Sequence, residues 1–233
     1  MSEQHIASAF DRDLEAIQAH IMKMGGLVEA AIMGAARSLE TRDEELANEV
    51  RQGDKAIDAL EELIDEETAR LIALRAPTAS DLRLVLSVLK VATNLERIGD
   101  YSKNIAKRTT VLVNAGEING SAAALRRMAR EVERMLRDAL DAYIQRDAEL
   151  AQDVIERDLE VDQMYNGLFR EFLTFMAEDP RNISACMHLH FIAKNIERMG
   201  DHVTSIAEQV VYLVTGERPP EARPKADVTS QTA

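Results

Sequence analysis

The stretch Asn94-Leu95-Glu96-Arg97-Ile98-Gly99-Asp100 returns near the other end of the chain as Asn195-Ile196-Glu197-Arg198-Met199-Gly200-Asp201, and the likeness continues to Ile105-Ala106 and Ile206-Ala207. On a helix, Glu96 and Asp100 are one turn apart and share a face, as do Glu197 and Asp201. Like charges at that spacing repel, and a glycine inside each turn costs the helix about 1 kcal/mol relative to alanine. Both penalties, incurred twice at matching places, point to a cation or partner on the carboxylates and to a neighbouring backbone approaching each glycine.

A second pair of segments repeats in the same order. Arg42, Asp43, Glu45, Leu46, Ala47, Val50, Asp54 and Asp58 correspond to Arg146, Asp147, Glu149, Leu150, Ala151, Val154, Asp158 and Asp162. Two motifs recurring in register make an internal duplication. The expected organisation is a first repeat over 1–117, a second over 118–215 and a disordered tail over 216–233, which is rich in Pro, Glu, Arg, Thr and Ser without periodicity.

Within each repeat the apolar spacing is helical. Phe10, Leu14, Ile17, Ile21, Met24, Leu27 or Val28, and Ala31 or Ile32 form one stripe of a first helix, about 7–39, in which Gly25-Gly26 marks a close crossing or a slight kink. A second helix starts around Asp43, with acids in its first turn, and runs to about Leu74. Ala76-Pro77-Thr78-Ala79-Ser80-Asp81 ends it and caps a third, about 81–113, whose apolar residues cover far more than one stripe. The row Leu82, Leu89, Glu96, Lys103 advances by sevens, so Glu96 continues an apolar row and is not expected to be freely solvated. Turn signals at Asn114-Ala115-Gly116 and Asn119-Gly120-Ser121 precede a fourth helix, about 121–144; a fifth follows Gln145-Arg146-Asp147, and Asp179-Pro180 separates it from a sixth. Composition agrees: hydrophobic residues make up 46%, aromatics only 4%, and Trp is absent, as in helical cores of aliphatic side chains and Met. The expected fold is all-α, two tandem antiparallel three-helix bundles.

The net charge of −13 argues against nucleic acid, which requires a basic face. Arg126, Arg127, Arg130, Arg134 and Arg137 make a local basic stripe, but it alternates with Glu131, Glu133 and Asp138 and reads as a solvated helix face. The single cysteine, Cys186, reads as a small core residue. The polar start and the lack of an apolar run approaching roughly 18 residues give neither a signal peptide nor a membrane span, so a cytoplasmic protein is expected.

If the second and third helices of each repeat pack with their acidic faces together, Asp54 and Asp58 meet Glu96 and Asp100, and Asp158 and Asp162 meet Glu197 and Asp201. Four converging carboxylates need a counter-charge. All-oxygen ligation suits a hard cation such as Mg²⁺, Mn²⁺ or iron better than Zn²⁺. Arg97, Arg198 and Lys103 are the rival counter-charges, each Arg pointing about 100° away from its neighbouring Glu. A ferritin-like di-iron centre needs Glu-x-x-His on two helices, which neither repeat has. His188, His190 and His202 have Ser87, Leu89 and Tyr101 as counterparts, so a site common to both repeats does not use histidine. Surface or core packing is the simpler role for all three, with His190, seven residues before Glu197, the best candidate for an extra ligand. There is no nucleophile elbow, P-loop or dinucleotide fingerprint, and an enzyme is not expected.

Two tandem three-helix repeats, each with Glu-x-x-x-Asp inside Asn-x-Glu-Arg-x-Gly-Asp on its third helix, resemble the PhoU family of phosphate-signalling proteins, as does the connection Ala76-Pro77-Thr78-Ala79-Ser80-Asp81-Leu82-Arg83. The resemblance covers about residues 5–215. It implies a cytoplasmic negative regulator of the phosphate-starvation response that links the ATPase subunit of the high-affinity phosphate ABC transporter to a sensor histidine kinase, and often a homodimer. It also implies multinuclear iron or other metal on Glu96, Asp100, Glu197 and Asp201, to which the internal repeat adds Asp54, Asp58, Asp158 and Asp162. The departing connection Glu178-Asp179-Pro180-Arg181-Asn182 bears on whether the two sites are equivalent. Two other readings stand beside it: a metal-dependent enzyme or metal store using the same carboxylates, and a metal-free helical adaptor whose acids are solvated.

Overall fold

The structure, a computed structural model, describes residues 2–116, 118 and 120–217, with side chains from residue 9 onward. Among the described residues six α-helices follow one another: α1 (Ser2–Thr41), α2 (Glu44–Arg75), α3 (Ala79–Leu112), α4 (Ser121–Gln145), α5 (Ala148–Glu178) and α6 (Ile183–Thr215), with a short 3-10 turn, Pro180–Asn182, before the last. The expected tail lies, from residue 218, outside the described residues.

The turns that open α2 and α5 show the duplication at atomic level. Asp43 caps α2 by accepting from the Leu46 amide at 3.0 Å, and Asp147 caps α5 by accepting from the Glu149 and Leu150 amides at 3.0 Å. The residue before each cap is an arginine in the left-handed region, Arg42 at φ 54° and Arg146 at φ 55°. Such a conformation costs a non-glycine residue about 1 kcal/mol, and both repeats retain it because it aims the next helix back along the previous one. The 76–81 connection ends α2 as expected, at Ala76, left-handed at φ 45°, but α3 starts two residues early at Ala79, without a side-chain cap.

On α1 the stripe Phe10, Leu14, Ile17, Ile21, Met24, Val28, Ile32 is buried, and the helix is continuous through Gly25-Gly26. A Cβ on Gly25 would collide with Leu140 of α4, whereas one on Gly26 would meet nothing, so only the first glycine serves a close crossing. Within the first repeat α1, α2 and α3 pack on one another, and within the second α4, α5 and α6 do the same. The repeats then join through α3 against α6 and α1 against α4. The α3–α6 pair is antiparallel: Arg83 lies over the Tyr212 ring at 5.2 Å at one end of the seam, and Arg108 lies 4.4 Å from the Phe191 ring at the other. The α1–α4 pair is antiparallel too, with Glu40 beside Arg126 and Glu29 beside Arg137.

Two expectations about surfaces change. The arginines of α4 are not simply solvated: Arg126 pairs with Glu40 of α1, and Arg137 reaches Glu29 of α1 at 3.4 Å as well as Glu133. These residues join the repeats where the α1–α4 core gives way to solvent. On α3, Leu86 is 46% exposed and Leu82 and Leu89 are only half-buried; with Ala79, Arg83 and Tyr212 they line an apolar groove of about 470 Å³. The breadth of apolar residues at this end of α3 therefore exceeds what its neighbours cover.

Candidate functional site

Asp54 stands on the buried stripe of α2, Ala47-Asp54-Ile57-Leu60-Ile64, and so faces α3 and is only 4% exposed. What it faces is Gly99. A Cβ there would lie 3.6 Å from Asp54 Oδ1, 3.0 Å from Ile57 Cδ1 and 3.3 Å from Ile57 Cγ2. In the second repeat Gly200 meets Asp158 in the same way, with a Cβ 3.0 Å from Asp158 Oδ1 and 3.4 Å from Val161 Cγ1. The motif glycines thus make room for an aspartate and a β-branched side chain of the neighbouring helix, where the sequence suggests a neighbouring backbone.

The first acidic face has a lysine at its centre. Lys103 Nζ donates to Asp54 Oδ2 and, at 3.3 Å, to Asp100 Oδ1. The hydrogen bond to Asp54 is the main reason the ammonium is pushed up to about 12. Asp54 Oδ1, by contrast, is buried without a hydrogen-bond partner. Burial raises the Asp58 carboxyl above its ordinary range, and the charge on Asp54 adds to the effect. Glu96 is pushed up to about 7, first by burial and then by Asp100 one turn along. Its side chain is 18% exposed, as its place on the Leu82–Leu89 row requires, and Arg97 Nε approaches it only to 3.6 Å. The repulsion expected between Glu96 and Asp100 is therefore present, and Lys103 rather than Arg97 is the counter-charge between α2 and α3.

The second face is drier. Asp158, Asp162 and Glu197 are all buried, and Asp201 is half-buried. Here the counter-charge is Lys194, whose Nζ donates to Glu197 Oε1 at 2.9 Å and sits 4.9 Å from the Tyr165 ring. Glu197 Oε2 is buried with no hydrogen-bond partner. Burial raises the Glu197 carboxyl, and Lys194 works against that shift. Sequence reasoning missed Lys194; its spacing three residues before Glu197, on the same helix face, is the signal that finds it. The two lysines are not equivalent. By motif alignment the counterpart of Lys103 is Thr204, and the counterpart of Lys194 is Thr93.

Between the two faces the motif helices touch. His202 Nδ1 lies 2.8 Å from Asn94 Oδ1, and its ring centroid is 5.6 Å from that of Tyr101. Burial holds the His202 imidazole below its ordinary pKa. His190 packs among the rings of Tyr165, Phe169 and Phe191, and His188 Nδ1 is 3.4 Å from Arg108 Nη1. His202 and His188 thus lie within hydrogen-bond distance of a side chain on α3, and His190 lies in an aromatic cluster. Among the described residues, no group of three or more His, Cys, Asp or Glu is placed to hold a metal ion. The acidic faces offer the right oxygen chemistry for a hard cation, but a lysine stands among those oxygens in each repeat. Among the described residues no helix is long and apolar enough to cross a membrane.

The family model of the PhoU domain matches residues 21–109 and 125–210, once per repeat. The chain is 45% identical over 230 residues to a phosphate-specific transport system accessory protein PhoU homolog of Rhizobium meliloti, covering 99% of this chain and 97% of that protein. It is 43% identical over 228 residues to the homolog of Caulobacter vibrioides, covering 98% of this chain and 99% of the relative. The crystal structure of PhoU from Pseudomonas aeruginosa superposes with a TM-score of 0.86 at 41% identity, over 89% of this chain and all of the other. PhoU from Streptococcus pneumoniae, described as a phosphate transport system regulatory protein, gives 0.83 at 30% identity over 91% of this chain and 99% of the other. Matches of this extent, one family domain on each repeat, establish that the chain belongs to the PhoU family.

Proposed function

We propose that this protein is a negative regulator of the phosphate-starvation response, coupling a high-affinity phosphate ABC transporter to a sensor histidine kinase and restraining the kinase when phosphate is plentiful. The observation that carries the reading is correspondence along nearly the whole chain, 99% of this protein and 97% of the relative, to a protein named as an accessory of phosphate-specific transport. In this reading the protein acts by binding and without turnover. It works in the cytoplasm, as a homodimer, and meets the membrane through the transporter's ATPase subunit. Direct association tests it: the purified chain should bind the ATPase subunit and the cytoplasmic part of the kinase saturably, and failure to bind either one removes the coupling role.

The acidic faces belong to the same reading as candidate metal sites, with Glu96, Asp100, Asp54 and Asp58 on one and Glu197, Asp201, Asp158 and Asp162 on the other. Two buried carboxylate oxygens without hydrogen-bond partners, Asp54 Oδ1 and Glu197 Oε2, support it. Iron, Mn²⁺ or Mg²⁺ is the chemistry these oxygens favour.

A further inference from the structure

We propose that Lys103 and Lys194 are tethered counter-cations, each taking the place of a metal ion on its acidic face and competing with one for it. The inference rests on the reading of those faces as cation sites.

Each face holds a buried carboxylate of which only one oxygen is matched by a cation. Asp54, nine-tenths buried and more, has one oxygen on Lys103 and the other without a hydrogen-bond partner. Glu197 repeats the arrangement with Lys194. In each case one oxygen is matched to the ammonium and one is left over. A buried carboxylate in this state is costly unless a positive charge is close, and the lysine supplies that charge on both faces.

Placement of the lysines adds an independent argument. Duplicated segments tend to keep equivalent residues at equivalent places, yet here the cation lies seven residues after the motif glutamate in one repeat and three before it in the other. The vacated position is a threonine both times. Thr93 donates to Glu61 at 3.4 Å, and Thr204 turns back to the Asp201 carbonyl at 2.8 Å, so neither replaces the missing charge. A lysine stands on each acidic face, at positions that do not correspond. That pattern fits a requirement for charge on the acidic face more than for a particular side-chain contact.

Both lysines are displaceable. Lys103 is 41% exposed and Lys194 30% exposed, each on a flexible stem that can carry its ammonium into water if another cation takes the carboxylates. The unmodified protein should therefore hold its fold without metal and bind divalent cations weakly, whereas a chain without the lysine charge should need one.

The test uses the full chain, stripped of metal with a chelator, as wild type and as Lys103→Met, with melting temperature and retained metal as readouts. Wild type should melt at the same temperature in chelator and in Mn²⁺ and should retain little Mn²⁺ through gel filtration. Lys103→Met should melt about 5 °C lower in chelator, recover on adding Mn²⁺, and retain the ion. The double variant Asp54→Asn with Lys103→Met, which removes the charge together with its partner, should regain stability and ignore Mn²⁺; it serves also if the single variant does not fold. A Lys103→Met chain as stable as wild type in chelator overturns the counter-cation role. A wild type that retains Mn²⁺ as well as the variant overturns the competition and leaves the metal reading standing. A destabilised variant that Mn²⁺ does not restore overturns both.

Discussion

His202 in the second motif helix is bonded to Asn94 in the first, Nδ1 to Oδ1 at 2.8 Å, so the duplicated segments meet each other as well as their own acidic partners on α2 and α5. With α3 on α6 and α1 on α4, the repeats share one core, and they should unfold together. Urea unfolding followed by circular dichroism and by tyrosine fluorescence should give one coincident transition. Asn94→Ala should lower stability by about 1 kcal/mol without splitting it.

The same histidine gives the protein an acid limb. Burial depresses the folded-state pKa of His202, so its contribution is present above the ordinary histidine value and is lost as pH falls through the folded value. His202→Gln should flatten the loss of stability below about pH 6.5, measured as melting temperature against pH.

Glu96 acts in the opposite direction. Its carboxyl is pushed up to about 7 from 4.5, so the folded state holds a proton that the unfolded chain has released. Its contribution is present below the ordinary value and is lost as pH rises through about 7, a slope worth about 3 kcal/mol at most. Glu96→Gln, which keeps the shape without the charge, should be more stable than wild type at pH 8 and indistinguishable from it at pH 4.

Glycines that look alike in the sequence should behave differently. Gly26 and Gly53 lie inside helices with open space where an added methyl group would go, so alanine at either should stabilise by about 0.5–1 kcal/mol through helix propensity. At Gly200 the same methyl meets a buried carboxylate oxygen at 3.0 Å and Val161 at 3.4 Å. Gly200→Ala should therefore destabilise by about 1 kcal/mol despite the propensity gain, and urea midpoints would separate the two classes.

Much of the fold is legible in the sequence, for identifiable reasons. Period and repetition locate the six helices, because a stripe such as Phe10, Leu14, Ile17, Ile21, Met24 admits one solution. The Leu82–Leu89 row likewise places Glu96 at the edge of the core. Repetition is less informative where the repeats differ. Lys194 escapes a search for matching residues because its counterpart is Thr93, and Lys103 shows its charge in the sequence but not its contact with Asp54 across the interhelix gap. Periodicity also cannot say that Leu86 is left uncovered, since coverage depends on which faces of α3 its neighbours take.

The regulatory role is tested most directly by a phosphate-starvation reporter in cells lacking the protein and grown with ample phosphate. Deletion should turn the reporter on, and the wild-type chain should silence it. The chain with Glu96, Asp100, Glu197 and Asp201 all changed to Ala should fail to silence it while still accumulating. A reporter that stays off in the deletion strain would contradict the account.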